Sequence, residues 1–206
     1  MDEPRATMVD VAFALRGETL PREHRQALAA ALTDQLPWLA TLPQAGVHRI
    51  NVSAGAGPLA LLSGRSRLTL RVPREQAAAL GALSGARLDL GASWVDLASP
   101  PLPRELLPYS TLYAHQVVAA SDDEIRFLAD VDAELQQLGV AGRRMCGRLQ
   151  RLQGEASSLH AFSLMLDGLS SDDAVRLLEH GIGPHRLWGC GLFVPHKSAA
   201  AVGTPA

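Results

Sequence analysis

The order of secondary-structure patterns constrains this chain more than any single motif. A short apolar run at 8–15 predicts a strand, and the Ala- and Leu-rich stretch that follows Pro21 predicts a helix, with Thr19 as its cap. The first half then predicts a strand at 47–53, a strand at 65–72, a helix at 74–83 and a strand or hairpin at 87–97. This order is β-α-β-β-α-β.

The same order recurs in the second half of the chain, without visible sequence similarity between the halves. The predicted elements are a strand at 111–119, a helix at 121–138 with Ser121 as N-cap, strands at 145–153 and 158–167, a helix capped by Ser170 or Ser171, and a strand at 190–196. The β-α-β-β-α-β order is that of the split, ferredoxin-like unit. We therefore predict an α+β protein with two tandem ferredoxin-like domains.

The domain boundaries follow from a proline-rich stretch between the two patterns. Residues 99–110 carry four prolines and are predicted to form a linker. This places an N-terminal domain at 1–98, a C-terminal domain with its glycine-rich loop at 111–198, and a mobile tail at 199–206. Fold alone does not decide function, because this unit occurs in proteins that bind RNA, metals and small molecules.

Composition limits the classes of protein to which the chain can belong. Apolar residues make up 47% of the 206 residues, and no apolar run approaches the roughly 18 residues of a membrane span. The N-terminus lacks the apolar core of a signal peptide, so we expect a soluble, cytoplasmic protein with no membrane partner. Cys146 and Cys190 are then expected to be reduced thiols, and their spacing does not match a zinc motif.

The distribution of charge is more informative than its sum. The net charge of −2 does not mark a nucleic-acid-binding protein. Arginines nevertheless cluster in two places: Arg143, Arg144, Arg148 and Arg151 in one, and Arg65, Arg67, Arg71 and Arg74 in the other.

The C-terminal part contains the most specific motif. Residues 168–195 read GLSSDDAVRLLEHGIGPHRLWGCGLFVP, with Gly181, Gly183, Gly189 and Gly191 between a helix and the last strand. A dinucleotide-binding fingerprint is excluded, since it would follow a strand and open a helix. The segment resembles the glycine-rich loop of the CRISPR-associated repeat-processing endoribonucleases of the RAMP superfamily, the MYXAN subfamily in particular. The stretches VDVAFALRG, LPREHRQAL, LPWL, GVHRI and SRLTLRVP extend the resemblance over residues 8–196.

The resemblance implies both a fold and an activity. Members of the family are tandem ferredoxin-like proteins that cut the repeat in CRISPR precursor transcripts to make guide RNA (crRNA), without a metal or other cofactor. The RNA's own 2′-hydroxyl is the nucleophile, which leaves a 2′,3′-cyclic phosphate and a 5′-hydroxyl. Many members stay bound to the product and join the subunits of an interference complex.

Two histidines are the candidate catalytic residues. His24 lies near the start of the first predicted helix, where relatives carry a catalytic histidine, and a helix N-terminus favours phosphate and a neutral imidazole. Arg22 and Arg25 beside it are candidate phosphate ligands.

His48, in GVHRI, is the second candidate, as acid partner or sole catalyst. The alternatives are a surface histidine for His24 and a loop-ordering histidine for His48. Some members place a tyrosine one turn before the histidine, where this chain has Pro21, so that role is either vacant or filled by Tyr109 or Tyr113.

Arginines of the second half are the candidate RNA-binding residues. Guanidinium groups contact phosphates bidentately and stack on bases, so we assign this role to Arg143, Arg144, Arg148, Arg151 and Arg186. Glycines around Arg186 would let the backbone approach RNA closely. The alternative for the first four is a solvated strand face, which we also favour for Arg65, Arg67 and Arg71. Four other histidines are predicted to be structural: His115, His160, His180 and His196.

Two other functions stay open at this point. One is an RNA-binding subunit that has lost catalysis and only holds guide RNA. The other is a ferredoxin-like module for small molecules or proteins, which would show no salt-dependent RNA affinity.

Overall fold

The computed structural model describes residues 6–53, 57–98, 100–154 and 157–196, which form two compact units. The N-terminal unit comprises Thr7–Glu105 together with Arg186–Gly189, and the C-terminal unit comprises the remaining described residues. The predicted tail at 199–206 lies outside the described residues. Among the described helices, none is long and apolar enough to cross a membrane.

The N-terminal unit is built on one sheet with a helix and two 3₁₀ segments. Its elements are β1 (Met8–Arg16), β2 (Thr19–Pro21), α1 (Arg25–Gln35), a 3₁₀ turn (Pro37–Thr41), β3 (Gly46–Val47), β4 (Leu59–Leu61), β5 (Arg67–Pro73), a 3₁₀ helix (Arg74–Leu83), β6 (Arg87–Asp89), β7 (Trp94–Leu97) and β8 (Leu102–Glu105). The sheet runs β3-β5-β1-β7-β6, and β8 pairs with β1. The order β3-β5-β1-β7 is that of the ferredoxin-like unit, so the predicted fold class is confirmed.

The core of this unit lies between the sheet and α1. Val9, Val11, Phe13 and Leu15 alternate along β1 and are buried against Leu28 and Leu32 of the helix. Spacing of four residues puts Leu28 and Leu32 on one helix face. The helix ends at Gln35 because the residue before Pro37 disfavours helical geometry.

Two local predictions for this unit were wrong, and a third had the right bounds but a different type of helix. Thr19 and Pro21 lie in β2, which pairs with β4, so neither opens the helix, and α1 begins only at Arg25. The predicted helix at 74–83 is a 3₁₀ helix, in which Leu80 and Leu83, three residues apart, are buried together. The strand predicted at 47–53 is reduced to β3, which pairs only through Gly46 and Val47.

Part of the predicted linker has regular structure. Leu102–Glu105 form β8, whose Pro103 pairs with Val11 of β1. All four residues are exposed, and an outer strand tolerates proline because its amide would face solvent.

The C-terminal unit is a four-stranded sheet with two helices. Its elements are β9 (Thr111–Ala119), α2 (Glu124–Leu138), β10 (Arg143–Gln153), β11 (Ser158–Asp167), α3 (Ser171–His180) and β12 (Phe193–Pro195). The sheet order β10-β11-β9-β12 is again ferredoxin-like. Phe127 of α2 stacks on Phe162 of β11, with ring centroids 4.7 Å apart, so the helices cover the Phe162 face of the sheet.

The residue that caps the first helix of this unit differs from the sequence-based expectation. Asp123, not Ser121, caps α2, since its carboxylate accepts hydrogen bonds from the amides of Ile125 and Arg126. Ser170 caps α3 as predicted and accepts a hydrogen bond from the Asp173 amide. Cys146 and Cys190 are free thiols, as expected.

Candidate active site

His24 stands at the residue that precedes the first turn of α1. It is buried, with 7% of its surface exposed, and its Nδ1 lies 2.7 Å from the carbonyl oxygen of Pro21. It does not cap the helix through its side chain. The ring is therefore held by the short segment that joins β2 to α1. The strand β2 and the helix α1 are themselves fixed in place by the fold.

The hydrogen bond to Pro21 determines which nitrogen of His24 can act as a base. A carbonyl oxygen can only accept, so Nδ1 carries the proton and, in the neutral ring, Nε2 keeps its lone pair. Burial lowers the pKa of His24; the hydrogen bond to Pro21 opposes this shift, and the charge of Arg25 adds to it. At neutral pH the ring is thus a neutral imidazole with Nε2 ready to accept a proton.

Three arginines surround His24 in sequence or in space. Arg22 donates from Nε to the Gly57 carbonyl oxygen at 3.0 Å, and Arg25 forms an ion pair with Glu23 at 3.1 Å. Arg49, an exposed residue, also lowers the pKa of His24 through its charge. Positive groups next to a neutral base suit an anionic substrate, because they attract phosphate and oppose protonation of the ring.

His48 lies in a different environment, a buried ionic cluster in the sheet. Its Nε2 donates to Oδ1 of Asp10 at 3.3 Å, and Asp10 receives two further hydrogen bonds from Arg71, at 2.8 and 3.0 Å. Burial lowers the pKa of His48, although the carboxylate of Asp10 pulls it upward. Burial alone would raise the pKa of Asp10, but the charges and hydrogen bonds of His48 and Arg71 outweigh it and hold that pKa well below its usual range.

The predicted solvated face of β5 is only partly solvated. Arg71 is 1% exposed, because β1 presents Asp10 directly opposite it in the register of the two strands. Arg65 is exposed and Arg67 is half-buried, as a solvated face requires. The assignment of Arg71 to that face was wrong, because its partner is 61 residues away in sequence.

Arg186 belongs to the N-terminal unit and is buried. Its Nε and Nη2 donate to the carbonyl oxygen of Gln44 at 3.2 and 2.9 Å. Burial and the nearby charge of Arg71 lower the pKa of Arg186 to about 10, so the group stays charged at neutral pH. These contacts favour a role in fixing the loop; direct contact with phosphate stays a prediction.

The glycines of the loop meet the protein's own backbone. All four have positive φ. A Cβ on Gly191 would lie 2.1 Å from the carbonyl oxygen of Ile182, and one on Gly189 would lie 3.1 Å from that of Val47. Both sites need glycine for internal packing as well as for backbone geometry, whatever the loop binds.

The other predicted RNA-binding arginines lie on β10, an outer strand of the C-terminal sheet. Arg143 forms an ion pair with Asp167, and Arg144 pairs with Asp132 at 2.6 Å. Within the described ranges, the exposed side chains of Arg148 and Arg151 make no ion pair or hydrogen bond. These two are the arginines of β10 with the most freedom to bind a phosphate.

Sequence reasoning missed Asp10 and Arg49. Asp10 has a signal, because it is the one charged residue inside the apolar run MVDVAFAL. For Arg49, the sequence signal is limited to its position next to His48. As for metals, the described parts of the chain contain no group of three His, Cys, Asp or Glu side chains that could hold an ion.

Known proteins match both the sequence and the fold. The Cas6 CRISPR family model matches residues 9–198. The CRISPR-associated endonuclease Cas6 of Myxococcus xanthus (strain DK1622) is 33% identical over 195 residues, 94% of this chain and 84% of that protein.

Solved structures resemble the fold at low sequence identity. A CRISPR-associated protein Cas6 superposes with a TM-score of 0.65 at 10% identity, over 92% of this chain and all of that one. A RAMP protein described as binding different RNA substrates has a TM-score of 0.59 at 12% identity, over 90% and 98% of the two chains. The family model and the Myxococcus relative together show that this chain belongs to the Cas6 family.

Proposed function

We propose that this protein is a metal-independent endoribonuclease that cleaves CRISPR repeat RNA by attack of a 2′-hydroxyl on the adjacent phosphate. The observation that carries the proposal is His24, a histidine that burial keeps neutral and that its hydrogen bond to Pro21 orients. Membership of a family with an endonuclease 33% identical to this chain supports the substrate class.

The proposed reaction begins with a proton transfer to His24. Nε2 takes the proton of the 2′-hydroxyl, and the oxygen attacks the neighbouring phosphorus as the bond to the 5′-oxygen breaks. The 5′-oxygen takes a proton from water or from an acid on the protein. The products are a 2′,3′-cyclic phosphate and a 5′-hydroxyl. The atoms and electrons of this reaction balance without a metal or a redox partner.

The arginines near His24 have a separate role in this reaction. Negative charge builds on the phosphate oxygens as the new bond forms, and Arg22, Arg25 and Arg49 bring positive charge to the same end of α1. Burial is the main reason that the pKa of His24 is lowered before the substrate arrives, and the charges of Arg25 and Arg49 add to it. A bound phosphate would offset those two charges as His24 takes its proton.

His48 is the second candidate for the acid or base. Its Nε2 is engaged by Asp10, and its side chain is 13% exposed. Those contacts favour a positioning role, in which His48 ties the end of β3 to β1. The two roles predict different effects of replacing His48, because replacement of a positioning residue lowers the stability of the protein as well as the cleavage rate.

The test is single-turnover cleavage of the cognate repeat RNA by the native protein, His24→Ala and His48→Ala, with affinity measured separately for each. A well-placed general base contributes about 10²- to 10⁴-fold, so His24→Ala should lose that much rate while binding is retained. Loss of activity in His48→Ala alone would move the base to His48. Tight binding without cleavage by the native protein would replace the proposal with a guide-holding subunit.

A further inference from the structure

The C-terminal sheet has a pocket on the face opposite its helices. Phe162 points toward α2, so its neighbours on β11, Ser163 and Met165, point to the other face. That face holds a cavity of about 460 Å³, lined among others by Tyr113, His115, Met145, Ser163, Met165 and His196. Pockets of about 300–1,000 Å³ are typical of small-ligand sites.

The chemistry of the lining suits a flat aromatic group. The ring of Tyr113 contacts that of His115 at 4.9 Å in an edge-to-face arrangement and that of His196 at 5.4 Å. Thioethers of Met145 and Met165 make favourable contacts with aromatic rings. A nucleobase presents π faces to stack on such rings and polar edges to hydrogen-bond.

The pocket lining contains a hydroxyl group that a ligand can reach. Ser163 is 6% exposed, lines the cavity, and makes no side-chain hydrogen bond within the described residues. Ser163 Oγ is not among the buried polar atoms that lack a partner, so it reaches solvent in the pocket, where it can donate to or accept from a polar edge of a ligand. Burial raises the pKa of the neighbouring Cys146 thiol to about 11, so no thiolate charge opposes a ligand there.

The sheet is distorted on both sides of Ser163. The β9–β11 register shifts between Phe162 and Leu164, and the β10–β11 register shifts between Cys146 and Leu149. A Cβ on Gly147, in the second shift, would lie 2.3 Å from the hydroxyl of Ser163. Bulges that flank one residue in this way re-aim side chains and are common beside functional sites.

Positive charge lies next to the pocket on the same outer strand. Arg143 is two residues from Met145 and 82% exposed at its side chain, and Arg148 is adjacent to Gly147. A base in the pocket would bring its sugar and phosphate out beside β10, the strand that carries both guanidinium groups. Aromatic rings and thioethers inside the pocket, with cations on the adjoining strand, match a nucleotide better than an apolar peptide.

We propose that this pocket binds one unpaired nucleobase of the RNA, with Tyr113 as the stacking surface, Ser163 as the hydrogen-bonding group, and the β10 arginines on the adjoining phosphates. The proposal rests on the proposed function for its choice of RNA as ligand. It adds a recognition site in the C-terminal unit, separate from the proton transfer assigned to His24 in the N-terminal unit.

The test compares Tyr113→Leu with Tyr109→Leu, the other tyrosine of the chain, which is exposed and lies outside the pocket lining. Fluorescence anisotropy gives the Kd of each for the cognate repeat RNA and for an unstructured single-stranded RNA of twelve mixed nucleotides, in EDTA. Tyr113→Leu should weaken binding about tenfold with an unchanged salt dependence, because stacking is not electrostatic, and Tyr109→Leu should bind like the native protein. Met145→Ala, at an exposed position, should weaken binding in the same direction if Tyr113→Leu fails to fold.

The outcomes separate the two proposals. Equal affinities of Tyr113→Leu, Met145→Ala and Tyr109→Leu, with repeat cleavage intact, would overturn the base-binding pocket and leave the proposed function standing. Tyr113-dependent binding of the single-stranded RNA by a protein that does not cleave the repeat would support the pocket and overturn the proposed function. Absence of binding to both RNAs would overturn both.

Discussion

Replacement of Asp10 by asparagine tests how much a buried arginine–aspartate pair contributes to stability compared with an exposed one. The described residues include two such pairs with nearly the same geometry. Arg71 donates to Asp10 at 2.8 and 3.0 Å, and Arg87 donates to Asp96 at 2.7 and 3.0 Å. They differ in exposure, since the side chains of the first pair are 1% and 16% exposed and those of the second 58% and 31%.

The expected effects follow from that difference. Asp10→Asn keeps the shape but leaves the charge of Arg71 buried without its counter-ion, which costs about 3–5 kcal/mol when a buried pair is broken. With a urea m value of about 2 kcal/mol per molar, the lower figure moves the unfolding midpoint down by about 1.5 M. Asp96→Asn should leave the midpoint unchanged, because water and salt screen an exposed pair.

Urea unfolding followed by circular dichroism, at pH 7 and at pH 3, is the assay. The pKa of Asp10 is depressed in the folded state, so its contribution is present above the unfolded pKa of about 3.9 and is lost as the pH falls toward the folded value. The gap between native protein and Asp10→Asn should therefore narrow at pH 3. Equal midpoint shifts for Asp10→Asn and Asp96→Asn at pH 7 would refute the reasoning from burial.

Three further predictions concern the site, the loop and the outer strand. The second-order rate of cleavage, measured at RNA concentrations far below Kd, should rise with pH and reach half its plateau below pH 6.5, because it reports the free protein, in which the pKa of His24 is depressed and only the neutral ring accepts a proton; a midpoint above 6.5 in that profile would contradict this. Gly191→Ala should destabilise the protein by about 1–3 kcal/mol more than Gly168→Ala in thermal unfolding, since both have positive φ but only Gly191 meets a carbonyl oxygen; equal losses would refute the contact. Arg148→Ala and Arg151→Ala should each reduce the slope of log affinity against log salt by about 1, and an unchanged slope would exclude phosphate contacts from these side chains.

The sequence predicts the order of elements well because local patterns set it. Strands at 111–119 and 158–167 occur with the predicted bounds, since alternation and flanking turn residues are local signals. The helix start at Pro21 was wrong because pairing of β2 with β4 joins residues about 40 positions apart. No local pattern contains that information.

The site shows the same division between local and distant information. His24 could be chosen from its place before a helix, but the tautomer depends on a carbonyl that only the folded turn supplies. The Asp10 partner of His48 and Arg71 comes from another strand. The pocket around Tyr113 joins residues of β9, β10 and β11 with His196, and for that reason His115 and His196 were assigned structural roles from sequence.

Analysis of the product ends tests the central claim most directly. The full chain is incubated with its cognate repeat RNA in EDTA, and the two fragments are examined by mass spectrometry. A 2′,3′-cyclic phosphate on one fragment and a 5′-hydroxyl on the other is the predicted result. A 3′-hydroxyl with a 5′-phosphate, formed only when a divalent metal is restored, would contradict attack by the 2′-hydroxyl.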